Sequence, residues 1–170
     1  MEPNHPAEPW LRGTLTEVPA VPRAVLHALD LAKEDLFRWC KPLTEAELNA
    51  RPASIAPVAF HIRHIARSLD RLLTYAEGNQ LGAAQIAEMK TELDMPAKPE
   101  ELFAELDGAL GKSAERIRAF DVTRFDEPRE AGQKKLPTTL GGLLVHVADH
   151  TQRHLGQAIT TSKIVQAQRS

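Results

Sequence analysis

Seven histidines occur in this chain of 170 residues: His5, His27, His61, His64, His146, His150 and His154. Five of them fall in two short stretches, with His61 and His64 three apart and His146, His150 and His154 four apart. On a helix, residues at these spacings share a face, with Cβ atoms about 6 Å apart. Two imidazoles so placed can converge on one metal ion, as the two histidines of HExxH sites do. The chemistry this pattern suggests is ligation of a divalent cation by neutral imidazoles. The later three cannot all reach one ion, because eight residues at 1.5 Å rise span about 12 Å. Metal–nitrogen bonds measure about 2.1 Å. One adjacent pair must serve, with a further ligand from elsewhere.

A helical wheel chooses between the pairs. The apolar stripe around the later histidines is Leu140, Leu143, Leu144, Val147, Leu155 and Ala158. At 100° per residue, His154 falls about 40° from its centre, His150 about 80° and His146 about 120°. His150 and His154 therefore point furthest inward, and His146 sits at the margin. A neutral imidazole facing a core needs partners for both nitrogens, which a shared ion supplies in part. In the earlier stretch His61 lies nearer the stripe Val58, Ile62, Ile65, Leu69 and Leu72, so geometry leans to His61 over His64 without deciding. His5 sits in a terminal segment rich in Pro and Glu, and His27 beside an apolar stripe, where it reads as a satisfied core-edge histidine.

Four helical segments must position these side chains. The first runs from about Pro22 to Lys41, with Val25, Leu26, Leu29, Ala32, Leu36 and Phe37 on one stripe, and Pro42 as its stop. The second runs from about Pro57 to Glu77, opened by proline and closed by Gly78. The third begins near Pro99 and carries Leu102, Phe103, Leu106, Leu110 and Ile117. The fourth starts after Leu136-Pro137, with Thr138 or Thr139 as N-cap, and continues through at least Ile159. Residues 42–56 and 78–98 each have room for a short extra helix, at Thr44–Leu48 and Ala83–Glu92. Residues 120–137 hold Pro128, Gly132 and Pro137 and read as irregular loop. An all-α four-helix bundle with long connections is the expected fold class, with residues 1–20 as a flexible N-terminal arm and 21–170 as one helical domain.

Composition narrows the function. Of all residues 42% are apolar, enough for a core without staples. Lys and Arg number 21 against 23 Asp and Glu, a formal charge of −2, which gives no general attraction to nucleic acid or anionic lipid. The single cysteine, Cys40, forms no internal disulfide and is expected as a buried free thiol. The terminus lacks the basic start and apolar run of a secretory signal. No stretch approaches the ~18 apolar residues of a membrane span, so a cytoplasmic location is expected.

Two stretches resemble the DinB-like (DinB/YfiT) family of metal-binding four-helix proteins. The segment Val58-Ala59-Phe60-His61-Ile62-Arg63-His64-Ile65-Ala66-Arg67-Ser68-Leu69-Asp70-Arg71 looks like the family's second-helix pattern of apolar residues leading to a histidine followed by Ile-Ala. On that match the ligand is His64, and His61 occupies a position usually apolar. The segment His150-Thr151-Gln152-Arg153-His154-Leu155-Gly156-Gln157 is similar to the family's H-x-x-x-H-[RL]-G-Q on the last helix. Leu155 stands where arginine is frequent. The resemblance covers the chain from about residue 20. It implies a metal set of His64, His150 and His154, holding zinc or nickel and leaving positions open on the ion, as in catalytic sites.

Relatives so resembled are thought to act as thiol transferases or thiol-dependent isomerases. The implied function is a metal-dependent thiol S-transferase, or a hydrolase with water as nucleophile, acting on a small electrophile together with a low-molecular-weight thiol. The alternative is a non-catalytic metal-binding or stress-response protein. A homodimer is expected, which sedimentation at micromolar concentration tests. Asp149 points away from the His150/His154 face and is expected to stay off the ion; Asp70 and Glu77 read as solvated helix residues, and Trp10 and Trp39 as packing residues.

Overall fold

The computed structural model describes residues 6–169; His5 lies outside them. Six α-helices follow in order: α1 (Ala20–Trp39), α2 (Glu45–Asn49), α3 (Val58–Ala76), α4 (Ala83–Thr91), α5 (Pro99–Ala119) and α6 (Leu140–Ala167). The four long ones close a bundle, α6 and α5 each packing against both α1 and α3. Their apolar stripes meet in one core, where Leu36, Ile62, Ile65, Leu69, Leu106, Ile117 and Leu144 are wholly buried. Burial of such stripes, rather than helix propensity, supplies most helical stability.

Local signals act where the sequence placed them. Thr44 caps α2 through a capping box, its hydroxyl accepting from the Glu47 N–H while the Glu47 carboxylate accepts from Thr44 N. After α3 the chain turns at Gly78, whose φ of +88° suits a residue without Cβ. Thr139 caps α6 by accepting from Gly142 N at 3.0 Å.

Residues 120–137 correct the loop expectation. Strands β1 (Pro128–Ala131) and β2 (Leu136–Thr139) pair antiparallel, with Pro128 opposite Thr139 and Ala131 opposite Leu136. Four-residue strands that each contain or begin with a proline lack the alternation that marks longer strands. Two anchors fix this hairpin beside the bundle. Arg129 Nε donates to Ala76 O at the end of α3, and Gly141 N donates to Phe125 O at 2.8 Å. A Cβ on Gly141 would lie 3.1 Å from that same oxygen, so a larger residue would push the two backbones apart by a few tenths of an ångström.

The N-terminal segment lies along α1 where it is described. Arg12 makes a two-pronged ion pair with Glu34, and Val18 is buried. Trp39 is half-buried, with Lys163 Nζ 4.6 Å from its ring centroid, whereas Trp10 is 61% exposed, its Nε1 donating to Glu8. Cys40 is a free, fully buried cysteine. Among the described residues no helix is long and apolar enough to cross a membrane.

Candidate metal centre

The facing sides of α3 and α6 bring His64, His150 and His154 together. One ring nitrogen from each lies within 4.8 Å of the others, and His64 Nε2 stands 3.3 Å from His150 Nε2. Two nitrogens bound at 2.1 Å to one tetrahedral ion sit about 3.4 Å apart, so this spacing suits a shared cation. The ring centroids, 4.4 to 5.0 Å apart, form a closed triangle. Phe60 stacks on His64 at 5.2 Å and closes one side.

The outward nitrogen of each ring is engaged. His64 Nδ1 meets Glu92 Oε2 at 2.7 Å, His150 Nδ1 meets Ser68 Oγ at 3.3 Å, and His154 Nδ1 meets His61 Nδ1 at 3.1 Å. Ser68 already donates its proton to Ile65 O, so its oxygen accepts from an N–H on His150. A carboxylate likewise only accepts, which places a proton on His64 Nδ1. With both Nδ1 atoms protonated, the Nε2 lone pairs are free and face one another. Such outer hydrogen bonds fix the tautomer and the ring plane of metal-binding histidines. The donor set and its outer contacts therefore fit a divalent ion.

Glu92 is the anchor of this arrangement. It is 2% exposed, and Arg71 donates to both of its oxygens. Burial pushes its carboxyl up, but the contacts with His64 and Arg71 outweigh this and hold it below the usual carboxylate range. Arg63, itself 3% exposed, clamps the following turn by donating to the carbonyls of Glu92, Met95 and Pro96. Asn49 exchanges two hydrogen bonds with the backbone of Ala97. The long connection between α3 and α5 is thus pinned where it delivers its carboxylate.

Burial lowers the basicity of the rings. His150 goes down to about 4 and His154 to about 3, chiefly through desolvation and secondly through His64; His61 goes down to about 4 for the same reasons. Neutral imidazole is the form that binds a metal.

A cavity of about 430 Å³ opens onto the cluster. His64, His150 and Arg71 form its polar end; Leu72, Ile86 and Met89 line its apolar part; Gly132 and Gln133 of the hairpin turn complete it. His146 also lines it, 44% exposed, with Nδ1 3.4 Å from Asp149 Oδ2. Asp149 is bound to Arg153 as well and stays away from the three rings.

The wheel's choice of His150 and His154 over His146 agrees with the cluster, but its leaning to His61 is only half met. His61 is the more buried of its pair, at 5%, yet it touches the back of His154 and it is His64 that joins the cluster. His27 is a satisfied core-edge residue, 3.2 Å from Thr14 Oγ1. Asp70 and Glu77 are each at least one-third exposed and pair with Arg116. Ser68, Arg71 and Glu92 were missed. The first two lie four and seven residues after His64, on its own helix face, so periodicity could have found them. Glu92 carries no such signal.

The DinB superfamily profile matches residues 28–158, and the chain belongs to this superfamily. No curated protein matches it. Among solved structures, the chain is similar to a conserved protein from Enterococcus faecalis known from its crystal structure. The TM-score is 0.69 and the identity 24%, over 88% of this chain and 99% of that one. That likeness speaks for the fold.

Proposed function

We propose that this member of the DinB superfamily holds one divalent metal ion, zinc or nickel, through Nε2 of His64, His150 and His154. On this reading it is an enzyme of the thiol S-transferase type, joining a low-molecular-weight thiol to a small electrophile; hydrolysis with water as nucleophile is its sibling. One observation carries the reading. Three imidazoles turn their ligand nitrogens to a common point while their outer nitrogens are occupied, and two of the rings line a cavity.

A divalent ion held there by the three rings would supply Lewis acidity, lowering the pKa of a thiol or water toward neutrality. The chain's residues do the rest. Glu92 holds the His64 ring in place and keeps its proton on Nδ1; Ser68 does the same for His150. The cavity sets an electrophile beside the cluster. In the transfer a sulfur–carbon bond forms, the leaving group departs with its electron pair, and the thiol proton passes to solvent.

Elemental analysis of purified protein against a His150→Ala/His154→Ala variant tests the site. About one equivalent of metal in the parent and none in the variant is expected; equal content in both would end the proposal. Titrating cobalt-loaded protein with a thiol tests the chemistry. A sulfur-to-cobalt charge-transfer absorption and turnover of electrophiles support transfer, whereas their absence would leave a metal-holding protein without catalysis.

A further inference from the structure

The cavity beside the histidines has a composition that restricts its occupant. Among its lining residues Arg71 is the sole side chain with a permanent charge, and its guanidinium is committed to both oxygens of Glu92. Glu92 in turn is shared with His64. The Arg71–Glu92 contact is charge-balanced and buried, so away from the proposed ion no unpaired permanently charged cation lines the cavity to receive a carboxylate, sulfonate or phosphate. An anionic group entering the apolar part would lose its water without gaining a partner, a costly transfer.

The apolar part lacks something to cover it. Helix α4 buries none of its residues, although it carries Ile86 and Met89. Both line the cavity, with Met89 45% exposed. They face Leu72 and Tyr75 of α3 and Leu81 of the connection across the empty space. Methionine there adapts to irregular shapes, and Tyr75 and Gln133 offer neutral hydrogen-bonding groups at the wall. A volume of about 430 Å³ is within the range of small-molecule pockets.

We infer that this cavity binds the uncharged, hydrocarbon-rich part of the substrate, selecting apolar small molecules and rejecting those with an anion remote from the reacting atom. The inference rests on the proposed function for the identity of the reacting end, while the selectivity belongs to the cavity itself.

The test uses phenylmethanethiol and its para-sulfonate, which share a thiol and ring and differ in charge at the far end. Binding is measured on the full chain twice, cobalt-loaded by absorption and metal-free by methyl-group NMR shifts at Leu72, Ile86 and Met89. Phenylmethanethiol is expected to bind at least about 10-fold more tightly in both forms, because an unpartnered buried anion is disfavoured. An Ile86→Lys variant, which supplies the missing cation, is expected to lose this preference while keeping its metal content and its melting temperature, since α4 contributes nothing to the core. Equal or tighter binding of the sulfonate by the parent would overturn the inference, and so would an unchanged preference in Ile86→Lys. Failure of the metal reading is distinguishable. It shows as absent metal in the parent, with the metal-free arm still reading the cavity.

Discussion

His61 Nδ1 stands 3.1 Å from His154 Nδ1, so one of the two donates and the other accepts. A residue one turn away from the cluster on α3 thereby fixes the plane of a ring on α6. With His154 donating from Nδ1, its Nε2 is left as a ligand atom, in step with His64 and His150.

Replacing His61 by Phe keeps the volume of the ring and removes this partner. Metal affinity, measured by competition with a chromophoric chelator, is expected to fall about 10- to 100-fold, the usual effect of losing an outer hydrogen bond to a metal-binding histidine. His61→Asn, which retains a polar group, is expected to recover part of the loss. Unchanged affinity in His61→Phe would show that His154 is oriented by packing alone.

Glu92→Gln keeps the shape of the anchor but removes its charge. The buried Arg71 guanidinium is then left beside a neutral amide. Stability in denaturant titration is expected to drop by about 1–3 kcal/mol, and metal affinity to fall with it as His64 loses its acceptor. A variant as stable as the parent would mean that water replaces the lost contacts.

Acid should destabilise the metal-free protein. An unfolded histidine titrates near 6.5, whereas in the fold His61 and His150 go down to about 4 and His154 to about 3. Between those values the unfolded chain binds more protons than the folded one, so stability rises with pH there. It is therefore lost as pH falls from about 6.5 toward 3–4, muted by the partial exposure of the rings. Urea midpoints across this window are expected to decline in the parent, and to decline less in a His61→Phe/His150→Ala/His154→Ala variant. Parallel curves would place the acid sensitivity elsewhere.

Cys40 is wholly buried, and burial pushes its thiol up to about 12, partly offset by its contact with Ser162. Folded protein at neutral pH is expected to resist aromatic disulfide reagents, with one thiol appearing only on denaturation. Rapid labelling of the native chain would contradict this burial.

Two glycines of α6 should respond oppositely to Ala. At Gly141 a Cβ would meet Phe125 O at 3.1 Å and Phe125 Cβ at 3.2 Å, while at Gly156 it would meet nothing within 4 Å. Gly141→Ala is expected to cost about 1–3 kcal/mol and to loosen the hairpin that carries Gln133 to the cavity. Gly156→Ala is expected to be neutral or to stabilise by up to about 1 kcal/mol. Calorimetric melting of the two variants separates the outcomes.

Period and punctuation made much of this protein legible from its residues. The stripes of α1, α3, α5 and α6, the proline before α3, Gly78 after it and the Thr139 cap are local features, set by neighbours within a turn. The His150/His154 spacing is local too, and so is the inward lean of both rings. The choice between His61 and His64 is different in kind. Both sit near the same stripe, and only the place where α6 crosses α3 decides that one ring joins the cluster and the other backs it. Glu92 lies 28 residues from His64 in the chain, at the end of the short helix α4, and reaches it because Arg63 holds the returning backbone and Arg71 the carboxylate. The short hairpin escaped notice because two prolines and four-residue strands erase alternation. Helical period fixes which side of an element a residue occupies; which residue of a partner element it meets depends on crossing geometry and on long-range contacts, which no window along the chain contains.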